Sequence, residues 1–276
     1  MSAPIRLVAT DLDGTVVAPD GSVSARTVAA LRAVEEAGAH LVLVTGRPAR
    51  WMAEVVAQVG HAGTAVCANG AVVYDLRTER FVATRPLDES TVHEVVAQVR
   101  DVLGAATFAA ETVHGFVRDP AYVPRWDGAD GDVRSIEEVA RSETVLKLLV
   151  RDETSDGDSM LAAVGPALLG LAVPTHSNVR DCLLEISAIG VDKGSTLATL
   201  AAGLGVAAHE TVAFGDMPND VPMLRWAGVG YAVEGGHPAA LASTLHRAGS
   251  VGTDGVARVL EHLLASGRIG AGILGR

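Results

Sequence analysis

Two carboxylates two residues apart, Asp11 and Asp13, follow the apolar run 5–10 and lead into Gly14-Thr15. Side chains alternate along extended backbone, so residues i and i+2 leave it on one side and this pair faces the same way. Acids held that close are costly unless a cation or a phosphate-handling role compensates them. A second pair, Asp216 and Asp220, follows the apolar run 211–214. Between the pairs come Thr45-Gly46-Arg47-Pro48, after the apolar run 41–44, and Lys193, which opens a helical pattern. Carboxylates, a hydroxyl and an ammonium form an inventory suited to phosphoryl transfer onto a carboxylate. It holds a nucleophile, a proton donor, hard oxygen ligands for magnesium and neutralisers for phosphate oxygens. Taken singly, each stretch also has an ordinary explanation. Asp-Gly makes turns, Thr45-Gly46 suits a strand-to-helix connection, and Pro48 suits a first helical turn. Acids at a helix start complement its dipole, and a lone Lys is usually solvated.

The stretches work together only if one architecture brings them to one edge. Apolar runs alternate with helical periods at the start: strand 5–10, helix 24–37, strand 40–44, helix 48–59, strand 64–67. Ser24 suits the N-cap of the first helix, and Gly38 its stop. The pattern returns as helix 192–203, strand 211–214, helix 219–226, strand 228–233 and helices 238–247 and 254–265. Strands separated by helices imply right-handed parallel crossovers and an open α/β sheet. In such sheets ligands bind at the carboxyl ends of the strands, which is where Asp11, Asp13, Thr45 and Asp216 fall. Ala68-Asn69-Gly70-Ala71 separates two short apolar runs as a hairpin turn.

The middle reads differently. It gives helix 89–103, two short strands around 106–118, a loop rich in Asp, Gly and Pro over 119–132, and a short helical stretch. Strand 144–150, helix 155–168 and strands 171–175 and 181–186 follow. Runs of strand without intervening helices suggest an antiparallel sheet with helices on one face. The expected fold class is therefore α/β, with a Rossmann-like parallel-sheet core over 1–84 and 189–276 and an inserted α+β domain over 85–188.

Bulk properties narrow the partners. The chain has 276 residues, 49% hydrophobic and 20% charged, the balance of a globular protein. A net charge of −11 argues against binding a nucleic-acid backbone. The longest apolar stretch, 160–173, is interrupted by Gly165 and Pro166, so no membrane span is expected. Residues 1–6 lack the pattern of a secretion signal, and only Cys67 and Cys182 are present, both in apolar runs. Reduced thiols and a cytoplasmic location are the expectation. The expected partner is a small phosphorylated metabolite, with neither nucleic acid nor membrane, and the chain is expected to be a monomer or weak homodimer.

Asp11-Leu12-Asp13-Gly14-Thr15, Thr45-Gly46-Arg47, Lys193-Gly194 and Gly215-Asp216-x-x-Asn219-Asp220 resemble, in that order, the four motifs of the haloacid dehalogenase superfamily. Ala68-Asn69-Gly70 and the insertion between the second and third motifs resemble its Cof-type phosphatase branch with a type IIB cap. The resemblance implies a core of that superfamily and a cap that selects substrate. It also implies a magnesium-dependent phosphatase of small metabolites, sugar phosphates first, working through an aspartyl-phosphate. By the same resemblance Asp11 is the nucleophile and a magnesium ligand. Asp13 is the acid and base, with its backbone carbonyl on the metal. Thr45, Gly46, Lys193 and Asn219 hold the phosphate, Lys193 also steadies Asp11, Asp216 ligates magnesium, and Asp220 supports the metal waters or Lys193.

Two departures accompany these matches. Gly235-Gly236 stands where many relatives carry Asn-Ala, and Met217-Pro218 with Pro222 differs from the commonest fourth motif. In the insertion, His114, Arg118, Arg125, Trp126 and Lys147 are candidates for leaving-group contacts, with solvation or plain packing as their alternatives. Arg47 has the alternative of an ion pair within the core. Competing functional readings are a sugar phosphomutase or phosphotransferase of the same superfamily and a non-catalytic binder of phosphorylated metabolites. A response-regulator receiver fits poorly.

Overall fold

A computed structural model describes residues 3–125 and 131–270. The chain divides into two compact units, Met1–Val82 with Lys193–Arg276, and Ala83–Asp192. The first holds β1 (Leu7–Thr10), α1 (Ala25–Glu36), β2 (His40–Val44), α2 (Met52–Val59), β3 (Thr64–Cys67), β4 (Val72–Asp75) and most of β5 (Arg80–Thr84). The second holds α3 (Glu89–Val102), β6 (Thr107–Thr112), β7 (Gly115–Arg118), β8 (Asp132–Val133), α4 (Ile136–Ser142), β9 (Val145–Arg151), α5 (Gly157–Val164), β10 (Ala172–Thr175) and β11 (Leu183–Ala188). The chain returns to the first unit with α6 (Lys193–Gly203), β12 (Thr211–Gly215), α7 (Val221–Trp226), β13 (Val229–Val233), α8 (Pro238–Ser243), β14 (His246–Ala248) and α9 (Gly255–Ala265).

The first sheet runs β14-β13-β12-β1-β2-β3-β4-β5. Its strands from β14 to β3 are parallel, and β4 is antiparallel to β3. Central strands buried on both sides read as continuous apolar runs, and β1 is LVAT with all four residues buried. Leu7, Ala9, Val42, Val44 and Ala213 form a core with Leu197 and Ala201 of α6 and with Met223 and Leu224 of α7. Ser24 caps α1, accepting from the Thr27 amide. Register then fixes the working edge. Thr10 lies opposite Phe214 on one side and Leu43 on the other, so the next residues of β12, β1 and β2 emerge side by side.

In the second unit the order is β10-β11-β9-β6-β7-β8, antiparallel except for the β7–β8 pair. Val92, Val95, Val96 and Val99 recur at helical spacing along α3. They pack with Ile136, Val139, Met160 and Val164 against Phe108, Ala110, Leu148, Val150, Leu184 and Ile186 of the sheet. Alternation sends Ala109 and Leu149 to the opposite side, where they cluster with Phe116 and Tyr122.

Three local expectations are corrected. The helix expected over 238–247 stops at Ser243, because Thr244 turns extended (φ −147°, ψ 156°) and 246–248 joins β13 as β14. Strand β5 was not anticipated; all five of its residues are exposed, so it carries no period-two apolar signal. Cys182 lies just before β11, half-buried and with a left-handed backbone, not inside an apolar strand.

Candidate active site

Three neighbouring strands of the first unit deliver the chemistry. Asp11 follows β1, Thr45 follows β2 and Asp216 follows β12, all buried. The Asp11 amide donates to Phe214 O at 2.9 Å, so the turn after β1 stays tied to β12. Lys193, at the head of α6, is 1% exposed and donates to Asp11 Oδ1 at 2.7 Å and Asp220 Oδ1 at 2.6 Å. Asp220 spends its other oxygen on the amides of Asp216 (3.0 Å) and Met217 (2.9 Å). It thus fixes both the lysine and the loop that carries Asp216.

Asp216 Oδ1 accepts from Thr15 Oγ1 at 3.1 Å, and Oδ2 lies over Gly14. Gly14 has φ +79°, and a Cβ there would stand 2.4 Å from that oxygen. Position 14 therefore requires glycine twice over, for its backbone and for the approach of the acid. The Gly235-Gly236 departure has a similar cause. A Cβ at 236 would meet Asp216 O at 2.6 Å, beside the His237 amide that donates to that oxygen at 2.7 Å.

Charge is concentrated here beyond what the lysine neutralises. Asp11, Asp216 and Asp220 each offer a carboxylate oxygen within 4.8 Å of the others. Burial, then the Asp220 charge, pushes Asp11 well above the ordinary carboxylate range, and Lys193 opposes that rise. Burial and Asp220 likewise push Asp216 up to about 7. Burial works against the Lys193 charge, but Asp11 and Asp220 outweigh it and raise its pKa. Hard, buried carboxylate oxygens with surplus negative charge suit a divalent cation such as magnesium. Both Asp220 oxygens are already engaged, which leaves Asp11 and Asp216 as the carboxylates able to hold it.

Asp13 and the remaining residues complete the rim. Arg47 donates to both Asp13 oxygens, from Nε at 2.8 Å and Nη2 at 2.5 Å. The Arg47 amide in turn donates to Thr45 Oγ1 at 3.0 Å, a hydroxyl-capped turn around Gly46. Asn219 donates from Nδ2 to Asn69 Oδ1 at 3.0 Å. Asn69, read from the sequence as part of a hairpin turn and of the Ala68-Asn69-Gly70 resemblance, is thus brought against a candidate phosphate-binding residue. Its signal was the Asn-Gly pair itself, since Asn tolerates the left-handed backbone it adopts at φ 54°.

The candidates in the second unit have protein partners. Lys147 and Glu185 form a buried ion pair, and Arg125 pairs with Glu153. His114 Nδ1 lies 2.7 Å from Glu143, and Arg118 donates to Tyr122 O at 3.1 Å. Trp126 lies outside the described residues.

The family model for haloacid dehalogenase-like hydrolases matches residues 8–260. A phosphatase of HMP-PP from Serratia proteamaculans is 30% identical over 95% of this chain and 96% of its own length. The Bacillus subtilis 5-amino-6-(5-phospho-D-ribitylamino)uracil phosphatase is 27% identical over 92% and 96%. Among solved structures, a phosphatase of the same superfamily from Bacteroides thetaiotaomicron has a TM-score of 0.79 at 22% identity, covering 94% of this chain and 95% of that one. A subclass IIB sugar phosphatase also has a TM-score of 0.79, at 19% identity, over 94% and 98%. The chain belongs to the haloacid dehalogenase-like hydrolases and is an enzyme of that family. Its fold is the one shared by those phosphatases. Among the described residues no helix is long and apolar enough to cross a membrane.

Proposed function

We propose that this protein is a magnesium-dependent phosphatase of small phosphorylated metabolites, with sugar phosphates the first class to test. The observation that carries the reading is Lys193 bridging Asp11 and Asp220, with Asp216 beside them at the same sheet edge. Relatives named as phosphatases of small phosphorylated compounds support the substrate class.

In this reading Asp11 Oδ attacks phosphorus, and the ester oxygen leaves with a proton from Asp13. Asp13 then takes a proton from the water that hydrolyses the aspartyl-phosphate. Attack needs Asp11 ionised in a buried place, and Lys193 supplies the charge that favours it. Asp11, Asp216 and the Asp13 carbonyl would hold magnesium, which would supply Lewis acidity at the phosphate. The Thr45 hydroxyl, the Gly46 backbone and Lys193 hold phosphate oxygens, with Asn219 beside them. Asp220 acts on Lys193 and on the turn that positions Asp216. The inserted unit, 85–188 by the sequence division, serves as the cap that selects the leaving group. A cytoplasmic location completes the reading.

The test is inorganic phosphate release across a panel of phosphorylated metabolites, with and without magnesium. Magnesium-dependent release that Asp11→Asn removes is expected. Isomerised product without phosphate release would favour the phosphomutase, and binding without turnover the non-catalytic reading.

A further inference from the structure

The Arg47–Asp13 contact goes beyond a surface ion pair in its geometry. The guanidinium takes both carboxylate oxygens at 2.8 and 2.5 Å, a two-point grip that fixes direction as well as distance. Among the described residues no other side chain bonds the Asp13 carboxylate, whose side chain is 55% exposed. Arg47 is the more enclosed partner at 20%. Its backbone is held at both ends: the amide donates to Thr45 Oγ1 at 3.0 Å, and the carbonyl accepts from the Ala68 amide at 2.9 Å. The exposed acid is thus aimed by a side chain whose base is built into the phosphate-binding turn.

We infer that Arg47 is a positioning residue for proton transfer, orienting the Asp13 carboxyl toward the ester oxygen of the substrate. This rests on the phosphatase reading above. The guanidinium takes one lone pair on each Asp13 oxygen and leaves a second on each, so the carboxyl can carry its proton while the grip keeps it aimed. In the step served, the Asp11 Oδ–P bond forms and the P–O ester bond breaks. The proton on Asp13 passes to the departing oxygen, which takes the bonding pair. Lysine can keep one point of the grip; methionine, with no donor, keeps none.

A merely structural pair predicts little, since exposed ion pairs contribute little to stability. A positioning role predicts sensitivity to the leaving group. General-acid assistance matters most for a poor leaving group, and its full loss is worth about 10²–10⁴-fold. The experiment measures single-turnover phosphorylation of Asp11 by p-nitrophenyl, phenyl and benzyl phosphate, with magnesium, in wild type, Arg47→Met and Arg47→Lys. Arg47→Met should lose at least about 10-fold more rate on benzyl than on p-nitrophenyl phosphate, steepening the dependence on leaving-group pKa. Arg47→Lys should restore most of the wild-type slope, with thermal midpoints alike in all three proteins.

Parallel slopes in wild type and Arg47→Met would overturn the inference. A rise in KM with an unchanged phosphorylation rate would also overturn it, placing Arg47 on the substrate instead of on Asp13. Unfolding of both variants would make the pair structural. Inactive wild type toward all three esters is a separate result, which defeats the phosphatase reading and this inference with it.

Discussion

Each unit buries a lysine between carboxylates, and the two settings differ in what is left over. In the second unit Lys147 pairs with Glu185 and lies opposite Glu111 across the β6–β9 ladder, in the middle of strands whose backbone is committed to the sheet. In the first, Lys193 joins Asp11 and Asp220 where strands have ended, with Asp216 beside them. A pair inside a sheet is closed by its neighbours. A cluster beyond the strand ends keeps surplus charge and is carried on turning loops. Burial of charge therefore does not by itself mark a site, whereas its position relative to strand ends does.

Substitutions at the two lysine clusters should separate these settings. The largest effect is expected from Asp11→Asn: phosphate release should fall about 10⁴-fold or more, because the nucleophile is removed. Calorimetry should show a folded protein, since a buried charge with a raised pKa has been neutralised. Near-normal turnover would refute the nucleophile assignment. Lys147→Met should do the reverse. It leaves Glu185 buried without its cation, so chemical denaturation should show a loss of about 3–5 kcal/mol. The double variant Lys147→Met/Glu185→Leu should recover much of that, and failure to recover would mean the pair is more than a paired burial.

Asp216→Ala should weaken magnesium about 100-fold in a titration followed by activity and thermal midpoint. An unchanged midpoint shift would remove Asp216 from the metal. The acid's own titration gives a smaller and signed effect. Its pKa is raised from 3.8 to about 7, so the folded protein binds the proton more tightly than the unfolded chain. Without metal, this group's contribution to stability should decline as pH rises from about 4 to 7, and saturating magnesium should flatten that decline. A metal-free protein that instead gained stability across the window at this group, judged against Asp216→Asn, would contradict it. The smallest effect belongs to the second unit. Asp88 caps α3 through the Thr91 amide at 2.9 Å, and Asp88→Ala should cost about 1 kcal/mol without altering turnover.

The same contrast governs how far the sequence could be read. Asp11, Asp13, Thr45 and Asp216 stand directly after apolar strands, and parallel pairing carries strand ends to one edge, so their convergence follows from local pattern and handedness. The Asp220 contact with Lys193 was one of two alternatives the resemblance offered, but its grip on the Asp216 and Met217 amides was not legible, because it depends on a short turn folding back on itself. The Arg47–Asp13 grip was visible only as an unspecified core ion pair, since side-chain reach across two loops has no periodic signal. In the second unit Lys147 and Glu185 are 38 residues apart and meet through strand order, which spacing alone does not encode. Strand β14 was hidden for a related reason: three residues after a short helix carry too little pattern to announce a strand.

The seat of Asp216 on Gly14 makes the site mechanically lopsided. Moving that carboxylate further toward Gly14 drives an oxygen deeper into the space a side chain there would fill, where repulsion from the backbone climbs steeply. Moving it away stretches a 3.1 Å hydrogen bond from Thr15, a gentler resistance. The acid that would hold the metal in the proposed reading is thus stiff in compression and compliant in extension. An ion that draws Asp216 outward can be accommodated by yielding, while one that demands a tighter cage meets the main chain itself.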